Sequence, residues 1–493
     1  MSKRILAAII AAALLIPSAA CSQSGDPSDT IAAGTSETSS STTSEPAEQT
    51  ETGRADIKDS LPDYNWEGRE YRVAQNTNVG YEFFVEDMTG EATNDAVYNR
   101  NIAIEERFNV KIVPTNFSSG SETINQTSTA ILAGENAWDI VSHLAYMSYS
   151  PISKGVYQNW LDVNYVDFTA PWWNKLANDT CTFNGIAYTA TGDINVTALL
   201  FTYGMFFNMR LTEENGMTAS SLYNAVYDGK WTIDYFISLC SDIYTDVNGD
   251  GEKDKGDIFG YVAHPGISSD AWLAAFDQPI SGKDENGLPT PKFMTDKTVS
   301  ALEKISDFYY NKTGTLAPAE AEGEVPMFAD GKVVFVPSIF NDAFNTYRYM
   351  DDAYGILPYP KWDEAQKNYL TNARDQYTVL CVPKTVEDTD FVGMITEALA
   401  AESYRYVYPA YYDIALKGKY SEDADTANMI DIIMKGRSFD FSYLFGEANF
   451  VRLPYLFRDM LMNKQTDVAS KYAKSEKALL KNVEKIADYY TAD

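Results

Sequence analysis

Twelve consecutive residues, Asp246-Val247-Asn248-Gly249-Asp250-Gly251-Glu252-Lys253-Asp254-Lys255-Gly256-Asp257, hold the densest set of oxygen donors in the chain. Asp246, Asn248, Asp250, Asp254 and Asp257 fall at positions 1, 3, 5, 9 and 12, and Gly251 stands at position 6, where such a loop must turn sharply. That is the donor spacing of an EF-hand calcium loop, with the shorter Asp257 in place of a closing glutamate. Glu252 would offer its backbone carbonyl and Asp254 would act through water. Clustered carboxylates with only two lysines among them repel one another unless a cation sits between them. Calcium (Ca2+) is therefore expected, against the plainer alternative of an acidic turn. Its role would be structural, pinning the connection that follows a helix expected over 231–244.

Other chemistry is sparse. The two histidines, His143 and His264, are far apart and belong to no HExxH or HxH zinc motif. There is no G-x-S-x-G nucleophile elbow, no Walker lysine loop and no G-x-G-x-x-G turn. Two opposed carboxylates suffice for a glycosidase, and with 70 acidic residues composition leaves that alternative open.

Cys21 decides where these groups work. Before it stand Lys3, Arg4 and an apolar run from Ile5 to Ile16, broken by Pro17. This is the layout of a secretory signal peptide (1–20), too short for a spanning helix of about 20 apolar residues. Ser18-Ala19-Ala20-Cys21 resembles the cleavage box of bacterial lipoproteins, departing from it at Ser18. The resemblance implies a lipidated, palmitate-bearing Cys21 as mature N-terminus. Residues 22–60 are Ser, Thr, Gly, Glu and Asp with almost no large apolar side chain, too few to offset the entropy of ordering. A lipid anchor and disordered tether over 21–65 are expected, holding a folded body off the outer face of the cell membrane.

About 430 residues remain, which exceeds one ordinary core, so two lobes are expected. A formal net charge of −31 repels nucleic acid and anionic head groups. Cys181, Cys240 and Cys381 are the only other cysteines; one bridge and three buried thiols both fit. Residues 71–77 read as a strand, 92–108 as a helix capped by Asn94 or Asp95, and 110–115 as a strand. A helix over 121–133 closing at Gly134 and a buried strand over 138–145 follow. This alternation is the rhythm of an α/β lobe with a parallel sheet. Residues 352–360 and 377–383 are strand-like, and the last hundred residues are mainly helical.

Several stretches resemble the extracellular solute-binding proteins of ABC importers, sugar-binding family 1. They are NDAVYNRNIAIEERFNVKI (94–112), LAGENAWDIV (132–141), LDVNYVDFTAPWW (161–173), FNGIAYTATGD (183–193), DGKWTIDYF (228–236), MFADGKVVF (327–335) and YGILPYPKWDEAQKNY (354–369). Their order and spacing run through nearly all of 66–440. The resemblance implies an α/β, two-lobed, type II periplasmic-binding-protein-like fold with a cleft and hinge crossovers. Carried onto this chain, the first lobe is 66–185 with 353–410, and the second 186–352 with 411–493. It also implies closure on a solute, delivery to an ABC permease in the membrane, no catalysis, and a monomer.

A carbohydrate presents an apolar face of C–H bonds and a rim of hydroxyls, matched by aromatic rings with carboxylates, amides or imidazole. Trp172 and Trp173 follow Pro171 at the entry to a short helix. Successive residues cannot both enter one core from a regular helix, so at least one ring is expected to be partly exposed, for ligand or for inter-lobe packing. Asp193, in the TGDIN turn near the first crossover, could accept paired hydroxyls or simply mark a turn. His143 and Tyr146 lie just past the strand WDIV, where loops face the crevice of an open α/β sheet. His264 and Trp272 follow FGYVAH in the second lobe, and Tyr377 stands beside Arg374 and Asp375 at the return. Phe340 is a weaker candidate. The ligand expected is a neutral sugar or oligosaccharide. The alternatives are a surface glycan sensor or adhesin of the same fold, or a glycan-processing hydrolase or lyase.

Overall fold

The chain is described here by a computed structural model covering residues 53–317, 323–419, 423–446 and 449–491. The signal peptide, Cys21 and most of the expected tether lie outside these residues. Among the described residues no helix is long and apolar enough to cross a membrane.

Alternating apolar residues make 69–76 a strand, β1 (Arg69–Asn76), which pairs in parallel with β2 (Val110–Phe117), from Arg69 opposite Val110 to Asn76 opposite Phe117. Parallel pairing needs a crossover, and helix Ala92–Phe108 supplies it, burying Val97, Ile104 and Phe108. Its N-cap is Glu91, without a side-chain cap bond. Asp95, one of the two expected caps, instead accepts the N–H groups of Thr89 and Gly90 in the preceding turn. Helix Gly120–Leu132 leads through Gly134, in the left-handed region at φ 82°, to β3 (Ile140–Leu144), parallel to β1.

The second sheet has six strands, the longer four being β4 (Tyr203–Asn208), β5 (Ile258–Val262), β6 (Val333–Ile339) and β7 (Tyr354–Leu357), with the two-residue strands Tyr244–Thr245 and Thr315–Leu316 on β5. The parallel pair β5 and β6 is extended by β4, antiparallel to β6, and by β7, antiparallel to β4. The chain then returns to the first sheet as β8 (Thr378–Cys381), antiparallel to β3. The first sheet is thus ordered β8-β3-β1-β2, and β7 belongs to the second. The expected return at residue 353 is therefore too early, since the crossing falls between Leu357 and Thr378. An apolar run announces a strand, but nothing local states which sheet it joins.

One core lies on the first sheet, and another joins Ala74, Val141 and Val379 of the first sheet to Phe207 and Phe335 of the second. Tyr71, Ile140, Trp160 and Phe391 belong to the first-sheet core, while Trp231, Phe236, Trp272 and Phe335 pack in the joining one. Trp160, Trp231 and Trp272 are fully buried, and truncating such a ring costs roughly 3–5 kcal/mol. The three cysteines are free and buried, which settles them as thiols.

The expected tether ends earlier than residue 65. Ile57 and Leu61 pack against the first-sheet core. Asp59 takes a bidentate bond from Arg107 at 2.7 and 2.8 Å, its side chain 2% exposed. Two apolar residues and one ion pair are enough to lay the segment from Gly53 onto the body. The C-terminal helices also depart from regularity. Helix Thr389–Glu402 runs into π-helical turns at Ser403–Val407 and Ala410–Lys419.

Candidate functional site

The carboxyl ends of β3, β5 and β6 and the starts of β4 and β8 meet where the chain crosses between sheets. Open α/β sheets bind ligands at such switch points. On the second-sheet side of this junction lies a crevice of about 300 Å3, lined among others by Tyr203, Ser268, Glu324, Asn341, Asp342 and Arg374.

Its walls are fixed by hydrogen bonds that the strands dictate. Tyr203 opens β4 and donates its hydroxyl to the Ile267 carbonyl at 2.9 Å. Ser268 donates to Glu324 at 2.5 Å, and its carbonyl accepts from the buried hydroxyl of Tyr359. Ser338, near the end of β6, donates to Asp342 and accepts from Tyr347. Arg374 is held by its own backbone N–H on the Phe201 carbonyl at 2.8 Å. Its guanidinium, like the side-chain amides of Gln376 and Asn341 on the same walls, makes no hydrogen bond to any described residue. The crevice therefore keeps unspent donors and acceptors beside anchored carboxylates, an arrangement that can bind hydroxyls from several sides.

Tyr146 reaches this region from the first sheet. It lies in the turn Ala145–Met147 directly after β3, half-buried, and its N–H bonds the Asp375 carbonyl at 3.1 Å. Asp375 in turn accepts from the hydroxyl of Tyr455 at 2.7 Å, and Arg458 stacks on that ring while donating to Asp270 at 2.8 Å.

The crossovers themselves are tied together. Glu82, fully buried after β1, accepts from the Thr197 N–H at 2.7 Å on the outgoing crossover and from the Thr378 hydroxyl at 2.6 Å on the return. Asn195 also donates to the Thr378 hydroxyl. Burial pushes the Glu82 carboxyl up to about 7, against these bonds.

The other residues singled out from sequence are placed elsewhere. Trp172 and Trp173 are both buried, 4% exposed each, and donate their indole N–H groups to the two oxygens of Glu397 at 2.9 and 2.8 Å. The expectation that one ring must be exposed fails because the segment is not a regular helix, with Trp173 bridging Gly192 as an isolated strand pair. His143 lies within β3 rather than past it, fully buried, stacked on Tyr157, with burial pushing its imidazole down to about 4. Trp272 is fully buried and donates to the Tyr309 hydroxyl. Tyr377 packs edge-on against Phe439 inside the core, while its neighbours Arg374 and Gln376 line the crevice. Phe340 is fully buried too. His264 is 5% exposed at the end of β5, its Nδ1 accepting the Gly266 N–H.

Asp193 is ion-paired with Arg54 at 3.2 Å, and that guanidinium lies over the rings of both Tyr404 and Tyr408. Burial pushes the Asp193 carboxyl up to about 7 despite the pull of Arg54. Sequence reasoning missed Asn341, Gln376, Glu324 and Ser268. The available signal was position alone, since each follows a strand end or adjoins the return to β8.

The acidic loop closes on itself. Asp246 accepts the N–H groups of Gly249 and Gly251, both glycines at positive φ (74° and 78°), and Asn248 accepts from Asp250. Asp250 accepts from Glu252, and Asp254 from Gly256. Asp257, buried, accepts from Val247 and from the Tyr244 hydroxyl. Among the described residues no three acidic, histidine or cysteine side chains converge as a metal cluster.

Known structures share the architecture. A cyclo/maltodextrin-binding protein complexed with maltotetraose superposes with a TM-score of 0.55 at 13% identity, over 85% of this chain and 98% of that one. The chain has the fold of the ABC-transporter solute-binding proteins. One of these, from Thermotoga lettingae TMO bound with alpha-D-tagatose, matches at TM-score 0.50 and 14% identity, over 86% of this chain and all of that one. Another, from Agrobacterium radiobacter K84 in complex with ribitol, gives 0.50 and 10%, over 85% and 99%. No protein-family model and no curated protein sequence matches the chain. At these identities the solute-binding fold is what is shared. In this chain the two sheets are joined by the crossovers, where Arg374 lines the crevice and the Tyr146 N–H bonds the carbonyl of the adjacent Asp375.

Proposed function

We propose that the chain is the solute-binding component of an ABC importer, capturing a neutral sugar or oligosaccharide between its lobes and passing it to a membrane permease. The observation that carries this reading is the crevice at the crossovers, where Arg374, Gln376 and Asn341 keep their side-chain hydrogen-bonding groups unspent. A solute that bridges Tyr146 on one side and Asn341 on the other would stabilise the closed form, the species a permease reads. The neighbours of the same fold, bound to tagatose, ribitol and maltotetraose, support a polyhydroxylated ligand. Nothing in such a site need break a bond.

The same reading places a monomeric body outside the cell, anchored through lipidated Cys21. It also gives the loop from Asp246 to Asp257 one Ca2+, held by Asp246, Asn248, Asp250 and Asp257 with the Glu252 carbonyl, and by Asp254 through water. The donor spacing and the two left-handed glycines support this, and binding would require Asn248 and Asp250 to turn inward from their present loop bonds.

A thermal-shift screen of the purified protein against mono- and oligosaccharides tests the transport reading, because a ligand of the folded state raises the melting temperature by mass action. A dose-dependent rise with one glycan group, and the glycan recovered intact, is the expected result. Consumption of the glycan would transfer the assignment to a hydrolase or lyase.

A further inference from the structure

Besides the outgoing and return crossovers, the chain passes a third time from the packing of one sheet to that of the other. On the outgoing crossover, Ile194 belongs to the first-sheet core, and Val196 to a cluster that joins Phe206, Val336 and Ile356 of the second sheet to Val97. The same handover recurs after the helix Thr389–Glu402, where Tyr404 lies in the first-sheet core and Tyr408 in that second cluster. The turns between them, Ser403–Val407, are π-helical, a wide geometry concentrated at functional places.

One side chain touches both handovers. Arg54 donates to Asp193, directly before Ile194, at 3.2 Å, and its guanidinium lies 4.4 Å from the ring centroid of Tyr404 and 4.6 Å from that of Tyr408. A planar cation over two ring faces, paired with a carboxylate, is held from three sides. The segment that carries Arg54 is itself fixed to the first lobe. Ile57 and Leu61 pack on the first-sheet core, and Asp59 is bonded by Arg107. Glu82 ties the outgoing crossover to the return, and Arg54 ties it to the third crossing. We propose that the segment from Gly53 to Leu61 is a strap that restrains the swing of the two lobes, with Arg54 as its pin. The N-terminal end of the body then regulates closure, because releasing the pin loosens two of the three crossings at once. The proposal rests on the solute-binding reading only in taking the lobes to move.

The test is single-molecule energy transfer in the sugar-free protein, between dyes on Lys111→Cys in β2 and Lys230→Cys in the second lobe. A Cys21→Ser background leaves these as the only exposed thiols, since Cys181, Cys240 and Cys381 are buried. Arg54→Ala should broaden the distribution of lobe separations. Arg54→Lys, which keeps a charge for Asp193 but no planar group over the two rings, should fall between. Hydrogen exchange of the amides of 193–202 and 403–408 should quicken about tenfold in Arg54→Ala, with β1 and β2 unchanged. An unaltered distribution of separations overturns the proposal even where exchange quickens locally, because the pin would then be an ordinary surface contact. Exchange that quickens throughout the body overturns it as well, as a general loss of stability. Neither outcome depends on a sugar, whereas a glycan that leaves the parent protein's separations unmoved would count against the crevice reading alone.

Discussion

Glu82 accepts a 2.6 Å hydrogen bond from the hydroxyl of Thr378, so a buried carboxyl of the first lobe is fastened to the strand by which the chain returns from the second. Burial raises that carboxyl to about 7 in the folded protein, above its unfolded value near 4.3. In this window the native state holds a proton that the unfolded chain has lost, so stability falls as pH rises from about 4.5 through about 7. Glu397 is raised to about 7 by burial as well, and acts in the same direction.

Melting temperature should therefore decline between pH 5 and pH 8, and Glu82→Gln should flatten that decline by removing one of the titrating groups. Parallel curves for the two proteins, measured calorimetrically, would show that Glu82 is not the group responsible.

Glu397 gathers two adjacent indoles. Replacing it with Leu leaves the N–H groups of Trp172 and Trp173 buried without an acceptor, a cost of about 1–3 kcal/mol for each. Urea unfolding should report a loss of about 2 kcal/mol or more, with solute affinity kept because neither tryptophan lines the crevice. A loss of affinity without a loss of stability would place these rings at the ligand after all.

Cys181, Cys240 and Cys381 are buried, and burial pushes the Cys181 thiol up to about 12. Thiol-specific labelling of the folded body should leave all three unmodified, and denaturant should expose all three. Fast labelling of any one in the native state would contradict this packing.

With Ca2+ at about fifty times its dissociation constant, the folded state should gain about 2 kcal/mol. The chelated protein should melt lower by several degrees, and an Asp246→Asn, Asp250→Asn double variant should melt alike with and without calcium. Indifference of the parent protein to chelation would leave 246–257 a hydrogen-bonded acidic turn.

The parts legible in the sequence were those with local causes. Apolar alternation located β1, and short apolar runs located β3 and β8, within a few residues, and Gly134 marked a helix end. What escaped depends on distant partners. Trp172 and Trp173 meet Glu397, more than 220 residues on, and that bond turns two candidate ligand rings into core. His143 lies on a strand buried on both faces, so alternation could not say which way it points. Tyr377 was one residue from the crevice-lining Gln376 and three from Arg374, the right segment with the wrong side chain. The sheet membership of β7 depends on its pairing with β4, some 150 residues earlier.

The central claim is that a sugar binds beside Arg374. Isothermal titration of the best glycan from the thermal screen, into the parent protein and into Arg374→Ala, tests it most directly. Loss of the charge-assisted bonds of one guanidinium predicts affinity at least tenfold weaker, with the ligand-free protein still folded and its melting temperature lowered only by the lost attraction between the guanidinium and the buried Asp270. Equal affinity in the two proteins would contradict the account and move the solute site away from this crevice.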